Sequence, residues 1–288
     1  MACASPMEAY RPANGGPVSF KRPQGHTYTA IQLPCGQCIL CRLEHARQWA
    51  VRITHEAQLH ERNAFLTLTY NDENLPESGG LQYEDLQKFN KRLRHHYGTY
   101  RYYAVGEYGD ETQRPHYHMC LFGHDFTDGR RMLRTGKMPL WTHPDLEAIW
   151  GLGNVSVGDL NFRTAQYTAA YVTKKLNNER KYVRVDESTG ELVELEQPRA
   201  LMSKRPAIGL NWLEQYGDWV YAHDHVIANG REQKPPKYYD RWLKGRSEIA
   251  LGMIQQGREK RVTRMTAEQN RARARNAHAR AKSRAKSL

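Results

Sequence analysis

Two histidines one residue apart, His116 and His118 in "RPHYHMCLFG", interrupt an otherwise apolar stretch. In an extended strand alternate side chains share a face, so the two imidazoles point one way and Tyr117 the other. Neighbouring imidazoles on one face form a ready pair of metal ligands. Glu107, near the end of the preceding candidate strand, reaches the same place if the two strands pair as a hairpin. Two histidines and a carboxylate with open positions suit Mg²⁺ or Mn²⁺ acting as a Lewis acid.

A second group lies downstream in "YTAAYVTKKL". On a helix Tyr167 and Tyr171, four residues apart, share a face that Lys174 and Lys175 extend by one turn. Ala169 and Ala170 between them keep the surroundings slim. Two tyrosines capping a core would be ordinary packing. A phenol is also a nucleophile for a metal-polarised phosphodiester. The other His-x-His, His223 and His225, comes with no carboxylate on a neighbouring strand and no downstream nucleophile, and reads as structural.

Five cysteines are present, three of them, Cys35, Cys38 and Cys41, in "PCGQCILC". In a reducing compartment such spacing suggests thiolate ligands of Zn²⁺, with His26 or His45 to complete a tetrahedral set. Three half-buried cysteines at the turn into a helix fit the spacing equally well.

Charge is uneven along the chain. Residues 258 to 288 hold eleven Lys or Arg against two Glu, a net +9 of the chain's +12. Such a tail needs no folded shape to bind a polyanion by counterion release, and Arg271, Arg273, Arg275, Arg280, Lys282 and Arg284 are its candidate DNA contacts. The mean hydropathy of −0.82 describes a polar protein. No apolar run is long enough to span a membrane, and the start lacks a signal-peptide pattern, so a cytoplasmic protein with no membrane partner is expected.

The elements that must position these residues follow from periodicity. Residues 39–60 read as a helix with Leu43, Ala46, Ala50 and Ile53 on one stripe, and "NAFLTLTY" as a strand. Tyr83 to Tyr97 read as a helix stopped by Gly98. "YRYYAVGEYG" and "PHYHMCLFG" read as two strands joined by a short turn-rich gap, an antiparallel hairpin. A short helix around "HPDLEAIW", a strand near "GNVSVGDL" and a helix over 164–176 follow. Beyond them come a hairpin about Gly190, a short helix and strand in "GLNWLEQYGDWVY", and a proline-started packing segment. The fold class is α+β, a central antiparallel sheet with flanking helices. The chain divides into a Cys-containing segment and helix over 1–60, a core over 61–180, an accessory segment over 181–257, and a basic tail without fixed shape over 258–288.

"FLTLTY", "GEYGDETQRPHYH" and "YTAAYVTKKL", in this order, resemble the three motifs of HUH endonucleases of the replication-initiator class. The likeness is closest to the initiation proteins of the microviruses, small single-stranded DNA bacteriophages. "PCGQCILCRLEHARQWAVRITHE", "MSKRPAIGLNW" and "KPPKYYDRWL" carry it over roughly residues 30 to 245. The resemblance implies that His116, His118 and Glu107 hold the metal and that Tyr167 and Tyr171 are paired nucleophiles. It also implies that the histidines lie on the central strand, with the tyrosine helix over the metal. The activity implied is nicking and rejoining of single-stranded origin DNA through a 5′-phosphotyrosine, with Lys174 or Lys175 steadying the developing charge. Partners would be origin DNA and the host helicase and polymerase, in a bacterial host's cytoplasm.

Other classes fit less well. A histidine-triad hydrolase needs a third histidine where Cys120 stands, and a cupin needs a glutamate where Leu121 and Phe122 stand. Gly136 and Lys137 lack the flanking residues of a phosphate-binding loop. A non-catalytic DNA-binding or packaging protein acting through its basic tail is the remaining alternative, and it leaves the ordered Glu, His and Tyr residues without a role.

Overall fold

The computed structural model describes residues 3–13, 16–25, 27–109, 112–136, 138–174, 182–185, 189–261 and 265–285. The chain divides into two compact units, one built from Met1–His45 with Gly252–Leu288 and the other from Ala46–Leu251. In order the elements are β1 (Met7–Pro12), β2 (Tyr28–Leu33), α1 (Ile39–Ala57), β3 (Asn63–Tyr70), α2 (Tyr83–Tyr97), β4 (Arg101–Tyr108) and β5 (Pro115–Phe122). Then follow β6 (Arg131–Arg134), β7 (Leu140–Thr142), α3 (Pro144–Trp150), β8 (Gly153–Gly158), α4 (Phe162–Lys174), β9 (Val183–Val185), β10 (Leu192–Glu194) and β11 (Ala200–Met202). The last are α5 (Leu210–His223), β12 (Val226–Ala228), β13 (Arg231–Gln233), α6 (Lys237–Arg246), α7 (Glu248–Arg261) and α8 (Ala267–Ala285).

The larger unit is built on a seven-stranded antiparallel sheet in the order β11-β4-β5-β3-β8-β7-β6. It is the α+β arrangement expected. β3 occupies the central place and the histidine strand β5 lies beside it, so the expectation that the histidines sit on the central strand is off by one strand. β5 is nevertheless interior, paired on both edges, which holds its side chains in a fixed register.

Alternation along β3 sends Leu66, Leu68 and Tyr70 to one face, with Tyr117, Met119 and Leu121 of β5. There they pack on Leu86, Phe89 and Leu93 of α2 and Trp150 of α3. The opposite face carries Phe65, Tyr103, Val105, Cys120 and Phe122 against Ala50 and Ile53 of α1 and Ala165 of α4. α1 also turns Val51 toward Trp212, Leu213 and Val220 of α5 and Tyr239 of α6.

Two segments differ from the sequence reading. "GLNWLEQYGDWVY" lies within one helix, α5, rather than a helix and a strand. Gly217, which reads as a break, sits in the middle of that helix because the Trp242 ring lies against it, where a Cβ would come within 2.4 Å of the indole. The basic tail is helical over α8, where composition suggests no fixed shape. Alanine and arginine are both strong helix formers. The start is closed by a reciprocal cap, in which Thr266 Oγ1 accepts from Gln269 N–H (3.2 Å) and Gln269 Oε1 from Thr266 N–H (2.9 Å). Among the described residues no helix is long and apolar enough to cross a membrane.

Candidate metal and tyrosine site

The β4–β5 hairpin pairs Glu107 directly with His116, and β3 pairs Thr67 with His118 and Thr69 with His116. One patch of the sheet thereby gathers a carboxylate, two imidazoles and two small hydroxyls. Glu107 Oε2 lies 3.3 Å from His116 Nε2 and 3.2 Å from His118 Nε2. The three candidate ligand atoms stand within 4.8 Å of one another. Glu107 and His118 are buried and His116 is half-buried, so the patch opens to solvent on the His116 side.

The outward nitrogens are set by what the inward ones touch. His116 Nδ1 lies 3.2 Å from the Arg114 carbonyl, which can only accept, so Nδ1 carries the proton. In the neutral ring Nε2 then aims a lone pair at the Glu107 carboxylate. Two lone pairs at that distance repel unless a positive centre lies between them. His118 Nδ1 is held by Thr67 Oγ1 at 3.0 Å. Burial pushes the Glu107 carboxyl upward, but the hydrogen bonds and charges of His116 and His118 outweigh it and bring it below its ordinary value. This donor set, two nitrogens and one oxygen converging with the second nitrogens of both rings already engaged, suits a divalent cation.

Tyr117 faces the other way, as alternation requires. It is fully buried, its hydroxyl donating to the Gln82 carbonyl (2.7 Å) and accepting from the Gln82 N–H (2.8 Å).

α4 is brought down on the histidine face by its own sequence. Asn161 Oδ1 caps it by accepting from Arg163 N–H (2.9 Å) and Thr164 N–H (3.1 Å), while Thr164 Oγ1 accepts from Asn161 N–H (2.9 Å). Ala165, Thr168 and Ala169 are buried, and the Cys120 thiol of β5 lies 3.6 Å from Thr168 Oγ1. Small residues on that side let the helix sit close. Tyr167, half-buried, then places its ring edge-on to His118 (centroids 5.1 Å, 71°) and against Phe65 (6.4 Å, 84°).

Of the residues picked out by sequence, the structure thus joins Glu107, His116, His118 and Tyr167. Tyr171 and Lys174 belong to the last turn of α4, but their side chains lie outside the described residues, as does Lys175. Cys35, Cys38 and Cys41 come together in the smaller unit, and the residue that joins them is Cys3, not His45; His26 lies outside the described residues. Arg271, Arg273, Arg275 and Arg280 are exposed on α8, whereas the side chains of Lys282 and Arg284 lie outside the described residues. His223 and His225 do not share a strand, because His223 ends α5. Contrary to the sequence reading, a carboxylate does lie nearby: Glu232 Oε1 is 3.9 Å from His225 Nε2, and it is largely exposed. Sequence reasoning missed Thr67 and Phe65 as neighbours of His118. Their signal is register, since both belong to a strand that pairs with the histidine strand.

The replication-associated protein ORF2 family matches residues 63–176, from β3 through the tyrosine helix. The chain belongs to the phage replication-associated proteins, of the microvirus replication-initiator type. It is 33% identical over 258 residues to replication-associated protein VP4 of Bdellovibrio phage phiMH2K, covering 85% of this chain and 78% of that one. It is 29% identical over 287 residues to replication-associated protein ORF2 of Spiroplasma virus 4, covering 90% and 86%. Replication-associated protein ORF4 of Chlamydia phage 1 is 29% identical over 220 residues, covering 73% of this chain and 53% of that one. No solved structure matches the chain.

Proposed function

We propose that the protein is a metal-dependent endonuclease and transesterase that nicks and rejoins single-stranded DNA at a phage origin, initiating rolling-circle replication. The observation that carries this reading is the convergence of His116 and His118 on one oxygen of Glu107, with the Tyr167 ring against His118.

His116, His118 and Glu107 would hold Mg²⁺ or Mn²⁺, which supplies Lewis-acid charge for a scissile phosphate. Thr67 and the Arg114 carbonyl hold the two imidazoles in place for that purpose. The Tyr167 phenolate oxygen attacks phosphorus; an O–P bond forms and the P–O3′ bond breaks. The 3′ oxygen leaves with the bonding pair and takes up a proton, while the phenolic proton passes to solvent. The products are a 5′-phosphotyrosine and a free 3′-hydroxyl that a host polymerase extends behind a host helicase. The covalent link keeps the bond energy, so rejoining needs no nucleotide.

Tyr171, one turn further along α4, is the second nucleophile. One tyrosine holds the old 5′ end while the other cuts the regenerated origin, and the new 3′ end attacks the first link to release a circle. Lys174 and Lys175, by position, balance charge at phosphorus. The arginines of α8 supply a sequence-independent grip on the strand.

The test is incubation of the full chain with labelled origin DNA and Mn²⁺ or Mg²⁺, followed by a denaturing gel and peptide mapping. A metal-dependent adduct on Tyr167 or Tyr171, lost in His116→Ala, supports the reading. Binding that survives EDTA with no adduct on any origin fragment, and that vanishes on removing residues 258 to 288, supports instead a non-catalytic protein acting through its tail.

A further inference from the structure

The smaller unit contains a second convergence of ligands, made only of sulfur. The β1–β2 hairpin pairs Met7 with Leu33, so the residues just before β1 lie beside those just after β2. That register brings Cys3 to Cys35, thirty-two positions away, with the two Sγ atoms 3.6 Å apart. Cys38 Sγ lies 3.9 Å from Cys3 Sγ. Cys41, in the first turn of α1, completes a group whose four sulfurs all stand within 4.8 Å of one another.

We propose that Cys3, Cys35, Cys38 and Cys41 form a structural zinc site that fastens the chain before β1 to the start of α1. A zinc–thiolate bond of about 2.3 Å places the sulfurs of a tetrahedral site roughly 3.8 Å apart. The two separations above bracket that value. An iron–sulfur cluster interposes several irons and sulfides, and its cysteines stand further apart.

The backbone around the sulfurs is arranged for negative charge. Cys35 N–H donates to Cys3 Sγ (3.3 Å), Cys38 N–H to Cys35 Sγ (3.3 Å) and Ala4 N–H to Cys38 Sγ (3.4 Å). A fourth amide, Gly36 N–H, donates to Cys41 Sγ. Each sulfur therefore accepts at least one amide, as the sulfurs of metal-bound thiolates do. Gly36 adopts φ +76°, a left-handed conformation that turns the chain between Cys35 and Cys38. All five cysteines are reduced, and Cys120 lies in the other unit, buried against α4. Loading a zinc ion releases the thiol protons and leaves a site of net charge −2, which those amides offset.

Elemental analysis of the full-length chain carrying His116→Ala and His118→Ala, which removes the other candidate cation site, tests this. One zinc ion per chain is expected after purification under reducing conditions. Adding Cys3→Ala should lower retained zinc at least about tenfold, and Cys3→His should restore most of it, since imidazole is also a zinc ligand. Cobalt in place of zinc should give the intense thiolate charge-transfer absorption of a tetrahedral sulfur site. Cys120→Ser should leave zinc unchanged. A zinc-free full-length chain, or zinc retained undiminished in Cys3→Ala, overturns the proposal, and neither outcome bears on DNA nicking.

Discussion

Thr67 stands directly opposite His118 across the β3–β5 ladder, and its Oγ1 lies 3.0 Å from the imidazole Nδ1. The hydroxyl fixes the ring so that Nε2 faces Glu107. Thr67→Val keeps the shape and removes the hydrogen bond. It should weaken Mn²⁺ binding by about 10-fold to 100-fold, and Thr67→Ser should recover much of the loss. Calorimetric titration of both variants with Mn²⁺ checks this; equal affinities would leave Thr67 without that role.

Mn²⁺ itself should stabilise the protein, since the folded state alone brings the ligands together. At a hundred times its Kd the expected gain is about 2.7 kcal/mol. Melting curves with and without Mn²⁺ measure it. The increment should vanish in the His116→Ala, His118→Ala double variant and shrink strongly in Glu107→Gln.

Arginines on α8 should govern the salt dependence of DNA binding rather than chemistry. Arg271 and Arg275 lie on one side of the helix, Arg273 and Arg280 on the other, and all are exposed. Replacing these four by alanine should lower affinity for single-stranded DNA of any sequence. The slope of log affinity against log salt should flatten by about 0.7 for each lost phosphate contact. Fluorescence anisotropy across a salt series reads both.

His55 sets an acid limit on stability. Its ring is buried, stacked on Trp212 at 3.5 Å, with Nδ1 2.8 Å from the Tyr239 hydroxyl. Burial lowers its pKa to about 4. In the unfolded chain the ring titrates near ~6.5, so as pH falls the unfolded state takes up a proton first. Stability is therefore full above about pH 6.5, declines between there and pH 4, and levels off below as far as this group is concerned. The share of His55 is on the order of 1–3 kcal/mol. Urea unfolding at pH 7.5 and pH 4.5 should show the decline, and His55→Phe should reduce the difference.

Gly217→Ala should destabilise α5 although alanine is the better helix former by about 1 kcal/mol. The added Cβ would meet the Trp242 ring, which is rigid and packed, and overpacking of this kind costs roughly 1–3 kcal/mol. A lower Tm in the variant is the expected result, and a higher one would mean the indole yields freely.

How far the sequence reveals this molecule depends on the range of the interaction concerned. Strand alternation in "NAFLTLTY" and "PHYHMCLF" and helical spacing in 83–97 are local, and β3, β5 and α2 lie where these patterns place them. The pairing of Glu107 with His116 is accessible because a short hairpin leaves few registers. Thr67 is not, since β3 and β5 are separated by α2 and β4 and only the assembled sheet sets them opposite. Cys3 is hidden for the same reason, its partner lying across a hairpin whose register nothing local specifies. Gly217 misleads because a glycine that makes room for an indole looks the same, in one dimension, as a glycine that ends a helix. In the tail, charge obscures a cap: "TAEQ" is a helix-start signature lost beside the run of arginines.

Tyr117, fastened through its hydroxyl to both backbone groups of Gln82, has a consequence for the histidines on either side of it. A strand displaced by one residue would turn His116 and His118 into the apolar layer and present a phenol to the cation. That misthreaded sheet would strand two imidazoles among Leu68, Leu86 and Trp150 and sever the link to Gln82. Tyr117 thus serves as an alignment pin: the same residue that separates the two ligands in sequence makes every other alignment of their strand unfavourable.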